Sequence, residues 1–197
     1  NRFGSTHEIG LFEMASSGLV EISDPSSALI ANRSNQSGSA VICPIEGTRP
    51  LLVEVQALVT SASYGTPQRS ATGVEARRLQ MLLAVLEKRV GIRLAGEDVF
   101  LNVAGGLRID EPAADLGLVM AVASSHRNQE LPNDTLFVGE IGLGGEVRPV
   151  PSLERRLKEA SRLGFRHGIV PSLTVRPEAE IGIHPVADLS QVIDLMF

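Results

Sequence analysis

The chain has 197 residues, 43% of them hydrophobic, which is enough to bury the core of one ordinary domain. Aromatic residues make up only 4%, which argues against a protein that stacks exposed bases on aromatic side chains. A formal net charge of −5 argues against a globally basic nucleic-acid binder. Only Lys88 and Lys158 are lysines, so the other cations are arginines. Recognition of phosphate or carboxylate would explain this bias, and so would a GC-rich coding sequence.

Cys43 is the only cysteine and lies in an apolar run, so a buried thiol is predicted, without a disulfide or a cysteine cluster for zinc. The sequence contains no signal segment and no apolar run near the roughly 20 residues of a membrane span. We therefore predict a cytoplasmic protein without membrane contact. The first residue, Asn1, is not Met, which indicates a fragment of a longer protein.

The first half of the chain predicts β-structure. THEIGLFEMASSGLVEIS alternates around residues 15–18, a pattern typical of a hairpin. GSAVICPIEG and PLLVEVQALVTS predict two longer strands with a turn at 48–50. The polar stretch SASYGTPQRSATG predicts a loop.

A helix is predicted after that loop. Thr72 and Glu75 have the spacing of a capping box, and Gly91 marks the helix end. Apolar residues recur at helical spacing at Leu79, Leu82, Leu83, Leu86 and Val90.

The second half mixes strands and helices. EDVFLNVAGG predicts a strand, and IDEPAADLGLVMAVASSHR predicts a helix with Pro112 in its first turn. TLFVGEIGLGGEVRPV predicts a hairpin around Gly144 and Gly145. PSLERRLKEASRLG predicts a helix with Ser152 as its N-cap and Gly164 after its end. After it, HGIVP predicts a buried strand, and PEAEIGIHPV predicts a loop with a short strand. The last predicted helix is DLSQVIDLM. The predicted class is α+β, or mixed α/β, without a glycine-rich phosphate loop before a helix.

One resemblance is carried by two segments, NVAGGLRIDEPAADLGLVMAVASS and, after it, LFVGEIGLGGEVRPVPSLERRLKEASRLGFRHGIVP. From about Leu51 onward, the chain resembles the proteolytic domain of Lon proteases. The resemblance implies the Lon-protease-like fold, which is of the ribosomal protein S5 domain 2-like type. That family activates a serine in the turn before the first helix with a lysine on a later helix. The corresponding positions here are Ala113 and Glu154, so we predict that this domain is not a peptidase.

A second resemblance is carried by three segments, NRFG, EIGLFEMASSGLVEISDPS and SYGTPQRSATGVEARRLQMLLAVLEKRVG. Over essentially its whole length, the chain resembles the RadA (Sms) family of bacterial repair proteins. The resemblance implies that 1–15 are the remnant of a KNRFG motif and linker from a RecA-like ATPase core, and that 16–197 are the Lon-like domain. Arg2 would sense a nucleotide on the neighbouring subunit. The resemblance implies no cofactor in this fragment, but ATP, Mg and Zn in the full-length protein.

The same resemblance implies a homo-hexameric, DNA-dependent ATPase that acts on single-stranded and branched DNA in recombinational repair and branch migration, with a recombinase filament as a further partner. This domain would supply subunit contacts and phosphate contacts. The candidate DNA-binding residues are Arg69, Arg77, Arg78, Arg148, Arg155, Arg156 and Arg162. Salt bridges are the alternative for each, as Arg155 and Glu159 illustrate at i and i+4.

Two other functions remain open from the residues. One is a peptidase with a rearranged dyad, formed by Ser124 or Ser125 with Lys158; the other is a non-catalytic module that binds peptides in a Lon-type groove. The histidines His7, His126, His167 and His184 lack the paired spacing of metal ligands, so no metal site is predicted. Glu111 and Asp115 flank the turn, where Asp115 is explained by the helix dipole.

Overall fold

The computed structural model describes residues 12–15, 18–22, 24–31, 33, 35–62, 65–172 and 180–197. Its strands are β1 (Phe12–Ala15), β2 (Gly18–Glu21), β3 (Ser39–Ile42), β4 (Ile45–Glu46), β5 (Arg49–Pro50), β6 (Val53–Ser61), β7 (Arg69–Thr72), β8 (Glu97–Val103), β9 (Thr135–Phe137), β10 (Glu140–Ile141), β11 (Val147–Arg148), β12 (His167–Pro171) and β13 (Gly182–Val186). Its α-helices are α1 (Pro25–Ile30), α2 (Ala76–Val85), α3 (Asp115–Arg127), α4 (Leu153–Arg162) and α5 (Leu189–Met196).

A mixed seven-stranded sheet forms the centre of the described part, in the order β13-β12-β9-β3-β6-β8-β7. β6 pairs antiparallel with β3 and β8, and the other four neighbour pairs are parallel. The hairpins β1-β2, β4-β5 and β10-β11 form separate two-stranded sheets. The structure is therefore mixed α/β with a mainly parallel sheet, in agreement with the coarse class that the sequence predicts.

Helices cover both faces of the central sheet. Successive side chains of a strand point to opposite faces, and here they pack into two different core clusters. On β3, Ile42 belongs to the cluster that contains residues of α2, α3 and α5, whereas Val41 belongs to the cluster that contains residues of α4. β9 repeats the pattern with Phe137 and Leu136. Cys43 is buried in the second cluster as predicted, and burial raises the pKa of its thiol.

Most predicted elements are present in the described residues. β1 and β2 form the predicted hairpin, and β8, α4, β12, β13 and α5 occupy the predicted segments. Gly91 and Gly164 adopt the left-handed conformation after their helices, with φ of 79° and 84°. The last turn before Gly91 is a π-helical turn, Leu86–Val90. Among the described residues, no helix has the length and apolar character required to span a membrane.

Three local predictions are wrong. Part of the predicted loop forms β7, whose alternating exposure suits a polar edge strand beside β8. Thr72 lies in β7 and Glu75 occupies the N-cap of α2 without a capping side-chain hydrogen bond, so the predicted capping box does not form. Within the predicted hairpin of 135–150, only β10 and β11 pair with each other, because β9 joins the central sheet.

Helix α3 approaches β3 closely because Gly117 has no side chain. A Cβ atom at this position would lie 2.2 Å from the Cγ2 atom of Ile42, a fully buried residue of β3. Residues 115–124 of α3 are all buried, so the helix runs through the interior and has little room to shift. The absence of a side chain at Gly117 therefore allows the short distance between the central helix and the sheet.

We expect Gly117→Ala to lower the free energy of unfolding by about 1–3 kcal/mol, because the added methyl group overpacks against Ile42. Urea denaturation monitored by circular dichroism measures the change. Gly96→Ala is the control, since a Cβ atom there meets nothing within 4 Å and should leave the midpoint nearly unchanged. Equal midpoints for both variants would contradict the close packing of α3 on β3.

Candidate functional site at the entrance of helix α3

The entrance of α3 is a short 3-10 turn, Pro112–Ala114, whose backbone is fastened to the chain after β9. The amide of Gly139 donates to the carbonyl oxygen of Ala113 at 3.0 Å, and the amide of Leu116 donates to the carbonyl oxygen of Gly139 at 3.1 Å. Ala113 and Ala114 are buried and carry only methyl groups. At this turn the structure therefore places inert side chains, and the polar groups come from the residues on either side.

Asp115, the first residue of α3, is held by an arginine of α2. Its side chain is 1% exposed, and Arg78 donates hydrogen bonds to both carboxylate oxygens, with an Nε to Oδ1 distance of 2.7 Å. The amide of Ile141 donates to Oδ2 at 3.0 Å. Burial raises the pKa of Asp115, and the hydrogen bonds from Arg78 and Ile141 oppose that rise. The hydrogen bonds to Asp115 raise the pKa of Arg78.

Glu111, just before the turn, is held in the same way by Arg156 of α4. Arg156 is 0% exposed and donates to both oxygens of Glu111, with an Nη1 to Oε2 distance of 2.9 Å. The guanidinium also donates to the carbonyl oxygens of Cys43 and Pro151. The amide of Ile45 donates to Glu111 Oε2 at 2.9 Å. One carboxylate thus joins the turn to α4 and β4.

A cavity of about 270 Å³ opens beside these two ion pairs. It is lined by Val74, Glu75, Arg78, Arg108, Ile109, Asp110, Glu111, Asp115 and Leu118. A second cavity of about 370 Å³ shares three of these lining residues, namely Val74, Glu75 and Arg108. The lining is strongly polar, but Asp115 and Glu111 already bind arginines, and Arg108 pairs with Asp110.

Four of the seven predicted DNA-binding arginines bind carboxylates. Arg156 is fully buried and cannot reach a phosphate without giving up Glu111, so we do not retain it among the proposed DNA contacts. Arg78 is half-buried against Asp115. Arg148 and Arg162 are exposed but paired, Arg148 with Glu146 and Glu140, and Arg162 with Asp24 and Glu159.

The remaining three predicted arginines differ in how firmly they are held. Arg69 is half-buried; its Nη2 donates to the carbonyl oxygen of Leu94 at 3.0 Å, and its buried Nε has no hydrogen-bond partner. Arg77 and Arg155 are exposed, and neither forms a side-chain hydrogen bond or ion pair within the described ranges. The pairing of Arg155 with Glu159 that the sequence allows is absent there, because Glu159 binds Arg162 and Ser26. Arg2 lies outside the described residues.

The residues considered for a rearranged dyad have other contacts. Ser124 is fully buried; its hydroxyl accepts from the amide of Gly38 at 2.8 Å and donates to the carbonyl oxygen of Gln129. Ser125 accepts from the amide of Val59 at 2.9 Å. Lys158 pairs with Glu154 at i and i+4 on the exposed side of α4. Ser152 occupies the N-cap of α4 as predicted, but its side chain makes no capping hydrogen bond.

A family model described as "ChlI: Subunit ChlI of Mg-chelatase" matches residues 60–173, which is more than half of the chain. The chain therefore belongs to the class of domains that the ChlI family model describes. Proteins named DNA repair protein RadA are similar over most of the chain, and this chain belongs to the RadA family.

The relative from Halalkalibacterium halodurans is 49% identical over 98% of this chain and 44% of its own length. The relative from Escherichia coli strain K12 is 46% identical over the same shares. The relative from Synechocystis is 52% identical over 87% of this chain and 34% of its own length. The chain thus spans less than half the length of the curated relatives that it matches.

We expect Arg156→Met to lower the free energy of unfolding by about 3–5 kcal/mol, because it leaves the Glu111 carboxylate without its cation. Lys158→Met, which breaks an exposed pair on the same helix, should cost less than about 1 kcal/mol. Adding Glu111→Leu to Arg156→Met should restore part of the loss, because no unpaired charge remains. Urea denaturation compares the three variants, and equal costs for the two single substitutions would contradict the structural role of Arg156.

We expect Arg162→Gln to raise the pKa of Asp24, because the hydrogen bonds from Arg162 at 2.8 and 3.0 Å are the largest cause, ahead of the amide of Ser27, of the lowering of this pKa from 3.8 to about 2. A folded-state pKa below the unfolded value stabilises the fold above about pH 4, and this contribution disappears as the pH falls through about 2. Titration of the carboxyl carbon by NMR measures the shift. Arg155→Gln on the same helix is the control, and an unchanged Asp24 pKa in Arg162→Gln would refute the contact.

Proposed function

We propose that this domain is the non-proteolytic, Lon-protease-like scaffold and DNA-binding domain of a RadA-type hexameric ATPase that acts in recombinational DNA repair and branch migration. The name of the relatives, DNA repair protein RadA, and their match to nearly all of the chain support the repair role. In this proposal, 1–15 connect the domain to an ATPase core and 16–197 form the Lon-like domain, in the cytoplasm.

The observation that carries the proposal is the chemistry at the entrance of α3. The position that a Lon protease gives to its serine holds Ala113, and the position of the lysine holds Glu154, which pairs with Lys158. The two carboxylates beside the turn bind arginines from α2 and α4. We assign these groups to holding the fold together, because each of them already has a partner that a reacting substrate would need to displace.

We propose Arg77 and Arg155 as the first DNA contacts, because both guanidinium groups are exposed and neither binds a carboxylate in the described part of the chain. Arg69, Arg148 and Arg162 form a second group that must exchange existing partners for phosphate. In a homo-hexamer each contact is repeated six times, so few arginines per subunit are sufficient even with a net charge of −5.

The rest of the proposal concerns the longer protein. We assign the cofactors ATP, Mg and Zn of the full-length protein to its other domains, and we propose that DNA binding by this domain requires no cofactor. Single-stranded and branched DNA, other copies of the same protein and a recombinase filament are the proposed partners, and Arg2 is proposed to reach a nucleotide on a neighbouring subunit. Support for these partners comes from membership in the RadA family.

A peptide-binding module is a second candidate function, favoured by one observation. The cavities of about 270 and 370 Å³ share Val74, Glu75 and Arg108, so they adjoin and form an extended depression beside the start of α2. Such a module would capture unfolded peptides without binding DNA, which separates it from the leading proposal.

We expect the double variant Arg77→Ala/Arg155→Ala of the full-length protein to bind single-stranded DNA more weakly. The slope of log affinity against log salt should fall by about 0.7 for each phosphate that no longer binds an arginine. Arg166→Ala removes another exposed arginine, one that pairs with Asp134, and serves as the control. A fluorescence anisotropy titration at several salt concentrations makes the measurement. Unchanged affinity and slope in the double variant would refute the assignment of these two residues.

A further inference from the structure

Two histidines that are far apart in the sequence meet on adjacent strands at one side of the central sheet. His167 begins β12 and His184 lies in the middle of the edge strand β13. The strands are parallel, with His167 opposite Gly182 and Ile169 opposite His184. His167 and Ile169 are two residues apart on one strand, so both histidines project from the same face of the sheet.

The two imidazole rings contact each other through nitrogen atoms. His167 Nδ1 lies 3.1 Å from His184 Nε2, and the ring centroids are 5.2 Å apart with an angle of 54° between the ring planes. Either ring can donate: His167 Nδ1–H to His184 Nε2, or His184 Nε2–H to His167 Nδ1. The contact is a hydrogen bond only when one of the two facing nitrogens carries a proton and the other does not. The separation is close to the roughly 3.3 Å between two nitrogen ligands of one tetrahedral zinc ion with Zn–N bonds of about 2.05 Å.

The surroundings leave space in front of the pair. A cavity of about 250 Å³ is lined by both histidines and by Pro132, Asp134, Thr135, Ile169, Leu195 and Met196. Gly182 leaves room for the His167 ring, because a Cβ atom there would lie only 3.1 Å from His167 Nδ1. Both rings are half-buried, so an ion can enter from solvent while the ring orientations stay restricted. Asp134 also lines the cavity, but its carboxylate is paired with Arg166, with an Nε to Oδ2 distance of 2.7 Å.

We propose that His167 and His184 form a two-imidazole binding site for a divalent transition-metal ion of the Zn²⁺ or Ni²⁺ type, with water molecules as the other ligands. Imidazole nitrogens select such ions over Mg²⁺ and Ca²⁺, which require oxygen ligands. The proposed site uses two protein ligands; across the described ranges, no group of three or more His, Cys, Asp or Glu side chains is arranged to hold a metal. A bound ion joins the edge strand β13 to β12.

Calorimetric titration of the tag-free 197-residue chain with Zn²⁺ tests the proposal. We expect one ion per chain, and affinity at least about tenfold weaker in His167→Gln and in His184→Gln, because loss of even an outer partner of a ligand costs about 10–100-fold. His126→Gln on α3 is the control and should keep the affinity of the unsubstituted chain. Lowering the pH from about 7.5 to about 5.5 should weaken binding, because protons compete for imidazole nitrogens.

A measurement without substitutions guards against variants that fold poorly. Substoichiometric Ni²⁺, which is paramagnetic when coordinated by imidazoles and water, should broaden the ring NMR signals of His167 and His184 before those of His126. The proposal is overturned if Zn²⁺ shows no saturable binding, if both glutamine variants bind as tightly as the unsubstituted chain, or if Ni²⁺ broadens all histidine signals equally.

Discussion

Two pairs between arginine and carboxylate, each with one fully buried member, hold the centre of this domain in place. Asp115 and Glu111 lie at the entrance of a helix that is buried along most of its length. A carboxylate without a partner there would greatly lower the free energy of unfolding. Arg78 comes from α2 and Arg156 from α4, and these helices pack in different core clusters. One turn of chain therefore fixes the positions of helices on both faces of the sheet.

The same pairs determine what this part of the surface offers to other molecules. Each carboxylate also accepts a backbone amide, Asp115 from Ile141 and Glu111 from Ile45, so the ion pairs extend into hydrogen-bonded networks. Such networks add little net stability compared with apolar packing. Their better-supported effect is to favour one arrangement of helices and strands over others. The cavity beside them is consequently lined by charged groups that are engaged with each other, and charged groups free to bind a ligand must be sought on the exposed helix faces.

Sequence patterns predicted the elements that depend on local spacing, and failed where distant parts of the chain decide the outcome. The helix predicted over PSLERRLKEASRLG is present as α4, whose buried side includes Leu157 and Ala160, with Leu153 partly buried beside them. Arg156 lies three residues after Leu153 and four before Ala160, so helical periodicity placed it on that same side, although its charge suggested a surface residue. β7 was missed because its polar sequence becomes a strand only through pairing with β8. The contact between His167 and His184 likewise requires β12 and β13 to be neighbours, which no spacing rule reveals.

The preference for arginine over lysine now has a structural explanation for part of the chain. Arg78, Arg156 and Arg162 each donate hydrogen bonds to both oxygens of one carboxylate, in Asp115, Glu111 and Asp24 respectively. The planar guanidinium matches a carboxylate in this way, whereas the ammonium group of lysine has no such fork. A biased coding sequence alone would place arginines without regard to carboxylates. At these three positions the bias therefore reflects recognition of carboxylates within the domain.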